Sequence, residues 1–431
     1  MFCAIDFGTS NSAIGVPGIG VGMNLVELEP GFPTMPTAVF YFADAASGGG
    51  SGAAARCFGR AAIAAYVDGI EGRLMRSMKS LLGSPLLDQT TEVGGGRGVK
   101  YRDVIAGYLQ HLKACAQAQL GQPIRHAMLG RPVYFVDDDP ARDAQAQTAL
   151  EAAARQVGFD EVHFQYEPIA AAFDYERSVS AEQIVLVADI GGGTSDFSVV
   201  RVGPHRRERL DRRNDILANH GVHAAGTDFD RRVELRAILP GFGFGALRPP
   251  RGDEPAREVP SAVYFDLATW HLINTVYSPQ RMAELRGARR DYANPLHHER
   301  LMTVLTQRLG HELAARAEGS KIDLAQRGAT RIDLQIVEAG LRVDFSESEM
   351  LEAIRAEVGK IVAAANATVA QAGLKTSQID ALFFTGGSTG LGPLTDAIAA
   401  PFAAARVMRG DRFASVATGL GLFAQRWFGR V

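Results

Sequence analysis

Residues 184–202 read IVLVADIGGGTSDFSVVRV, the strongest structural signal in this chain. An apolar run ends at Asp189, a glycine-rich turn follows, and a second apolar run begins at Phe197. Two apolar runs joined by such a turn predict a β-hairpin. Successive N–H groups of the turn can form a concave nest for phosphate, and glycine lets the phosphate approach without a Cβ clash. The stretch therefore predicts a phosphate-binding hairpin.

The N-terminus repeats this pattern in MFCAIDFGTSNSAIGV. An apolar run reaches Asp6, a Gly-Thr turn follows, and a second apolar run covers 13–16. Asp6 and Asp189 lie much farther apart than the period of about 20–50 residues that marks a solenoid. The repeat therefore predicts two similar halves, each opening on a hairpin.

Both turns combine the groups that a metal–phosphate complex needs. Thr9, Ser10 and Thr194 supply hydroxyl donors, while Asp6, Asp189 and Asp196 supply carboxylates. Carboxylates beside phosphates make chemical sense when Mg²⁺ lies between them, held partly through water. Repetition of the pattern favours a nucleotide site over a purely structural turn.

A third glycine-rich turn, Gly386-Gly387-Ser388-Thr389-Gly390, follows the apolar run 379–385. It formally matches the GxSxG elbow of α/β-hydrolases, which requires a histidine after the serine. The last histidine of the chain is His311, so the usual triad order fails. The better interpretation is a third turn that contacts a nucleotide.

Other phosphate motifs fit poorly. No GxxxxGK[ST] is present, which argues against a P-loop NTPase. Residues 241–246 formally match GxGxx[GA], but prolines bracket them and they do not open a helix, so a dinucleotide site is not expected there. The charge run HRRERLDRR at 205–213 is interpreted as a solvated hairpin tip, with a binding patch as the alternative.

Composition sets the broad class. The 431 residues are 46% hydrophobic and 22% charged with a net charge of −3, which excludes wholesale disorder, collagen and coiled coil and gives no general attraction to nucleic acid or anionic membrane. Three scattered cysteines without a CxxC fit a reducing compartment. The N-terminus lacks a signal-peptide pattern and no run of 18 apolar residues occurs, so a cytoplasmic location is expected.

At these turns the chain resembles the sugar kinase, Hsp70 and actin superfamily, and more closely the Hsp70 nucleotide-binding domain. The segments that carry the resemblance are the first phosphate motif at Ala4–Ser12, the Lys79–Gly83 segment where the family has its catalytic lysine, the connecting motif Glu167–Ala172, the second phosphate motif Asp189–Phe197, and Ala225–Asp230. The resemblance implies an α/β, two-lobed actin-like ATPase fold. Ribonuclease H-like repeats with mixed five-stranded sheets and flanking helices would hold nucleotide in a central cleft.

The resemblance also implies a domain division. Lobe I is expected at residues 1–188 with a capping subdomain at about 37–102, and lobe II at 189–410 with a capping subdomain at about 231–329. A C-terminal helix at 411–431 is expected to return to lobe I.

Roles follow from the same resemblance. Asp6, Asp189 and, through water, Glu167 would hold Mg²⁺, and Lys79 would meet the terminal phosphate and orient the attacking water. Thr194 and Thr9 would hold phosphate oxygens, and Asp196 is a candidate for positioning water. The implied catalytic set is Lys79, Glu167, Asp189, Thr194 and Asp196. The implied ATP/ADP-binding set is Asp6, Gly8, Thr9, Ser10, Asn11, Gly191, Gly192, Gly193, Thr194, Gly226, Glu318, Lys321, Gly386, Gly387, Ser388 and Gly390, with Glu318 and Lys321 at the ribose.

Three departures from the family pattern stand out. Ile322 and Gly390 replace the two arginines that flank adenine, which implies a looser adenine clamp. Phe413 stands where an acidic residue is usual. The chain ends near Val431 without the family's linker and peptide-binding domain, so it looks like the short bacterial Hsp70-like proteins of the YegD type.

The expected function is a slow Mg-ATPase that acts as a chaperone-like conformational switch without a peptide-binding domain. A client or co-chaperone would dock on the nucleotide-binding lobes, with no nucleic-acid or membrane partner. The alternatives are a small-molecule, sugar-type kinase, against which Lys79 argues, and a non-enzymatic actin-like scaffold.

Overall fold

The structure is a computed structural model that describes residues 1–18, 23–43, 55–93, 97–136, 139–209, 211–249, 257–410 and 415–429. These ranges leave out two stretches of the expected C-terminal helix, residues 411–414, which include Phe413, and residues 430 and 431.

The first part of the chain builds one large sheet and a small cap. Its strands are β1 (Phe2–Phe7), β2 (Asn11–Pro17), β3 (Met23–Leu25), β4 (Thr34–Pro36), β5 (Ala38–Phe42), β6 (Arg56–Phe58), β7 (Gly72–Arg76), β8 (Thr90–Glu92), β9 (Gly98–Lys100), β10 (His126–Arg131) and β11 (Glu161–Tyr166). Its helices are α1 (Gly59–Val67), α2 (Tyr101–Leu120), α3 (Pro140–Gln156) and α4 (Glu167–Ser178).

The large sheet has the order β11-β10-β1-β2-β3, with β4 also pairing to β2. β1 and β2 form the antiparallel hairpin that the N-terminal sequence predicts, and β10 lies parallel to β1. The sheet has six strands rather than the expected five, because β2 pairs with β4 through residues 11–13 and with β3 through residues 15–17.

The second part of the chain repeats the plan. Its strands are β12 (Gln183–Ile190), β13 (Ser195–Val202), β14 (Ile216–Val222), β15 (Ala329–Asp333), β16 (Arg342–Ser346), β17 (Ala381–Thr385) and β18 (Arg406–Arg409). Its helices are α5 (Gly226–Val233), α6 (Ala262–Leu267), α7 (Pro279–Gly287), α8 (Pro295–Thr306), α9 (Gly310–Arg327), α10 (Glu347–Gln371), α11 (Gly392–Ala399) and α12 (Ser415–Phe428).

The second sheet has the order β14-β13-β12-β17-β18. Its β12–β13 hairpin is antiparallel and β17 lies parallel to β12, so the hairpin-plus-parallel-strand unit of the first sheet recurs. β12 belongs to this sheet from Gln183 onward, a few residues before the division expected at 188/189.

Each part carries a cap. The first contains α1 and the small sheet β6-β5-β7, and the second contains the helices α6 to α9. The sequence has a helical appearance through 61–83, but α1 ends at Val67 and the chain continues as β7. Gly69, with φ +71°, lies in the turn between them, and β7 pairs with β5, so tertiary pairing overrides the local helical pattern.

Helices α4 and α12 pack between the two sheets. Their core contains Ala4 and Met128 from the first sheet, Val187 from the second, Phe173 from α4 and Phe423 from α12. This shared core joins the two parts of the molecule and brings their hairpins face to face.

α12 and α4 approach each other unusually closely. A Cβ atom on Gly419 of α12 would lie 1.9 Å from the carbonyl oxygen of Ala170 in α4, so only glycine fits there.

The charge run 205–213 joins the antiparallel strands β13 and β14, and most of its described residues are exposed, as predicted for a hairpin tip. Arg212 is the exception among the described residues of the run, and residue 210 lies outside the described ranges. Arg212 is fully buried and forms two hydrogen bonds, of 2.8 and 2.9 Å, to Glu176 at the end of α4. Its Nε also donates to Asp215, which in turn pairs with Arg206. Burial of a guanidinium requires such partners, and Glu176 and Asp215, both outside the run, provide them.

Arg212→Ala should destabilise the protein by about 3–5 kcal/mol, because it leaves the Glu176 carboxylate buried without a cation and Asp215 with Arg206 as its remaining cationic partner. Urea unfolding measures the change in free energy. The matched control is Arg209→Ala in the same exposed loop, which should stay within about 0.5 kcal/mol. Equal losses for the two variants would contradict a structural role for the buried ion network.

Candidate nucleotide site

The two hairpin turns face each other across the cleft between the sheets. A Cβ atom on Gly192, in the second turn, would lie 3.2 Å from Oγ of Ser10 in the first. The first turn is fixed from behind, since the Thr37 hydroxyl donates to the carbonyl oxygen of Gly8 and the Thr37 N–H donates to that of Ser10. Thr9 and Asn11 lie in the same turn.

The second turn is held by the start of α5 and by the third glycine-rich turn. The carbonyl oxygen of Gly191 accepts from the Gly226 N–H at 3.2 Å and from the Ser388 hydroxyl at 2.8 Å. The Gly192 carbonyl accepts from both the N–H and the hydroxyl of Thr227, each at 2.8 Å. These contacts occupy the carbonyl oxygens of the turn and draw the three glycine-rich segments together.

Position 386 requires glycine for two structural reasons. Its φ is +88°, and a Cβ atom there would lie 2.4 Å from the Ile190 carbonyl oxygen and 2.5 Å from Oδ1 of Asp189. The third turn therefore packs directly on the acid at the end of β12. Gly387, Ser388 and Gly390 follow in a 3-10 turn.

Four carboxylates gather around one lysine. Lys79 Nζ lies 2.5 Å from Oε1 of Glu167 and is largely buried. Asp6, Asp189 and Asp196 interact electrostatically with the lysine or with one another. Asp189 and Asp196 stand directly opposite each other in the β12–β13 ladder, an unfavourable pairing of like charges. Such a conflict with local stability is expected at a functional site.

The charge imbalance shifts the titration of these groups. Burial, with Glu167 and Asp189 adding to it and Lys79 opposing it, raises the pKa of Asp6 to about 8. Burial, followed by Asp196 and Glu167, raises the pKa of Asp189 to about 7. Burial opposes the charge of Lys79, but the neighbouring carboxylates outweigh it and raise its pKa.

These residues fit a divalent cation. The acids outnumber the single ammonium, so a cation would relieve their mutual repulsion. Within the described residues, no three His, Cys, Asp or Glu side chains stand close enough to ligate a metal directly. Magnesium in proteins usually keeps several waters and is held through one or two carboxylates.

Thr194 donates from its hydroxyl to Asp196 at 2.8 Å, and the open space beside Gly193 leaves the turn accessible. The structure thus brings together the acids, Lys79 and the three glycine-rich turns expected from the sequence.

Helix α9 supplies another wall. Glu318 is exposed on it, and Lys321, expected at the ribose, pairs with Asp230 at 2.7 Å and donates to the Gly226 carbonyl at 3.3 Å. Ile322 is 49% exposed beside them.

Several residues that build the site were not predicted from the sequence. Thr37 and Thr227 brace the turns, and Asp230 fixes Lys321. Thr227 and Asp230 lie within the family-like segment 225–230, so their motif could have indicated them. Thr37 lies in no such motif.

A crevice of about 1240 Å³ runs between the edge strand β14 and α3, lined in part by Tyr134, Asp143, Arg213 and His220. The acids and glycine-rich turns are not among its lining residues, but Gly221, which lines it, stands opposite Asp196 in the β13–β14 ladder.

Comparisons with known proteins identify the family of this chain. The sequence model described as Hsp70 protein matches residues 2–235. The Chaperone protein HscA homolog of Aromatoleum aromaticum (strain DSM 19018 / LMG 30748 / EbN1) is 30% identical over 270 residues, 59% of this chain and 39% of that relative.

The fold is that of an α/β, actin-like ATPase. The chain belongs to the Hsp70 family. The alignment spans about two fifths of the length of this curated relative.

Among the helices in the described ranges, none combines the length and apolar character needed to cross a bilayer.

The raised pKa values predict how the ligand-free protein responds to pH. Asp6 and Asp189 retain protons in the folded state that the unfolded chain releases near the ordinary value of 3.8. Their contribution is present below that value and is lost as pH rises through about 7 and 8, so stability should fall between pH 5 and pH 8.5.

Asp6→Asn should flatten this decline and raise the melting temperature at pH 8.5 by more than about 3 °C. Differential scanning calorimetry across the pH range measures both effects. Asp160→Asn, at an exposed position, is the control and should keep the wild-type slope. A wild-type stability that rises over this range, with Asp6→Asn parallel to it, would contradict the raised pKa of Asp6.

Proposed function

We propose that this protein binds Mg-ATP in the cleft and hydrolyses it slowly, acting as an Hsp70-like conformational switch. The observation that carries the proposal is the cluster of buried carboxylates around Lys79, at the junction of three glycine-rich turns. Membership of the Hsp70 family supports the same assignment.

The roles follow from position. Asp6 and Asp189, with Glu167 through water, would hold Mg²⁺, which when bound neutralises phosphate charge. The N–H groups of the turns at 8–11 and 192–194 would cradle the phosphates, since the Gly191 N–H already donates to the Thr194 carbonyl oxygen. Glu318 would meet the ribose. Catalysis of phosphoryl transfer consists mostly of positioning and charge stabilisation, which these groups provide.

Lys79 would stabilise charge on the terminal phosphate, and Asp196, with Thr194, would orient water. In hydrolysis, the oxygen of water bonds to the terminal phosphorus and the bond from that phosphorus to its bridging oxygen breaks. ADP leaves, inorganic phosphate retains one proton of the water, and the other proton goes to solvent.

The switch function depends on the two lobes. A nucleotide that contacts turns from both sheets favours the closed cleft only by its difference in affinity between closed and open states. A protein partner that distinguishes the open from the closed cleft would dock on the lobes themselves.

Calorimetry should detect Mg-ATP binding with a dissociation constant below millimolar. Asp189→Asn should reduce the contribution of Mg²⁺ to that affinity, because it removes a carboxylate from the cluster. Folded wild-type protein that shows no heat with millimolar Mg-ATP would overturn the proposal.

Lys79→Ala should lower ATP turnover by roughly 10²-fold or more while ATP affinity changes little, because its charge acts mainly in the transition state. Single-turnover phosphate release and calorimetry separate the two effects. Lys360→Ala, at an exposed site on α10, should behave as wild type. Unchanged turnover in Lys79→Ala would remove Lys79 from the reaction.

Two measurements distinguish the proposal from its alternatives. ADP formation that rises only when a sugar is present, with formation of a sugar phosphate and without matching release of inorganic phosphate, would indicate a kinase. ATP-dependent sedimentation of large assemblies would indicate an actin-like scaffold.

A further inference from the structure

The two caps touch each other across the mouth of the cleft. The ring of Tyr66, on α1, stacks on that of Trp270 with centroids 5.2 Å apart and an angle of 26°. His311, at the start of α9, packs against both rings at 4.9 and 5.5 Å. We call Tyr66, Trp270 and His311 the aromatic clamp.

Arg76, the last residue of β7, lies on this clamp. Its guanidinium carbon is 4.2 Å from the centre of the Trp270 ring, within the range of a cation–π interaction. The residue remains exposed to solvent, yet surrounding protein lowers the pKa of Arg76 by desolvation, with Glu318 and Tyr66 opposing that effect. Trp270 packs on His311 at the start of α9, the helix that also carries Glu318, and this contact places the guanidinium beside the cleft.

Arg76 has unused hydrogen-bonding capacity. Among the residues that the structure describes, no carboxylate lies within ion-pair distance of it, although Glu318 faces it electrostatically. A guanidinium has five donors in a planar fork suited to phosphate oxygens. The stacking on Trp270 occupies its face and leaves the donors at its edge available.

The backbone between Arg76 and Lys79 is strained. Ser77 adopts φ +53° and ψ +35°, a left-handed conformation that a residue other than glycine rarely takes. Such strain persists only when the surroundings hold both sides of the residue in place. Here Arg76 is held on Trp270 and Lys79 on Glu167, so the turn directs two cations into one cleft.

We propose that Arg76 is a second cation of the nucleotide site, held on Trp270 and donating from the cap of the first lobe to the phosphate chain of the bound nucleotide. This inference rests on the proposed function. Glu318 acts on Arg76 from the opposite wall and is expected at the ribose, so Arg76 would meet the part of the phosphate chain next to the ribose. Trp270 acts as a positioning residue, because it fixes the guanidinium without contacting the nucleotide.

His311 is compatible with this arrangement. Its imidazole is buried, and both ring nitrogens lack hydrogen-bond partners within the described structure. Burial and the nearby Arg76 lower the pKa of His311 to about 4, so at neutral pH it is uncharged and does not repel the guanidinium.

Calorimetry with Mg-ADP on the full chain tests the assignment. Arg76→Gln should weaken Mg-ADP binding about tenfold, since it removes one charge-assisted contact, whereas Arg76→Lys should recover part of the loss. The control is Arg73→Gln, an exposed arginine on the same strand, which should bind as wild type. Melting temperatures within about 2 °C of wild type would show that each variant is folded.

A double-mutant cycle separates nucleotide contact from simple clamping of the caps. If Arg76 contacts the nucleotide, Arg76→Gln should still weaken Mg-ADP binding at least threefold when Trp270→Ala is already present. If Arg76 acted only through its contact with Trp270, the second substitution would cause no further loss, and this result would overturn the inference.

Trp270 provides a second readout, because the chain has only two tryptophans. In a Trp427→Phe background, Mg-ADP should change the Trp270 emission, and Arg76→Gln should reduce that change. If the Mg-ADP affinity of Arg76→Gln lies within twofold of the wild-type affinity, this inference is overturned but the proposed function is not. Wild-type protein that binds no Mg-ADP would overturn the proposed function and this inference together.

Discussion

The crowding of four carboxylates around the buried ammonium of Lys79 is the constraint on which the rest of this structure depends. Two of the acids, Asp189 and Asp196, lie opposite each other in a hairpin, where their charges repel. No fold would keep such a group of charges together for stability alone. The sheets, helices and turns around it hold in place a site that favours protons or cations.

Helix α4 connects this cluster to a second ionic network. It begins at Glu167, which meets Lys79, and near its end Glu176 accepts two hydrogen bonds from the buried Arg212. Between these ends, its apolar face fills the core between the two sheets. A shift of α4 would therefore disturb the acid cluster, the inter-sheet core and the loop 203–215 at once. One rigid helix thus couples the cleft to a distant surface of the second lobe.

The cleft is bounded at two levels. The inter-sheet core of α4 and α12 joins the lobes at the base, and the aromatic clamp joins their caps at the mouth. The base contact is extensive and apolar, whereas the described contacts at the mouth include a few rings and a cation–π pair.

The amino-acid sequence by itself determined the two hairpins, their acids and the glycine-rich turns. These features depend on short apolar runs and on glycines within a few residues, so local patterning specifies them. The repeated motif indicated two similar halves, and the resemblance that these motifs carry implied the correct fold class. Tertiary structure alone decided that Lys79 meets Glu167, 88 positions away, that Arg212 is buried, and that residues 72–76 form a strand instead of continuing a helix. It also decided that Tyr66 and Arg76 meet Trp270. Each of these outcomes depends on which distant surface packs against the residue, and the energy of that packing outweighs the local preferences that a sequence displays.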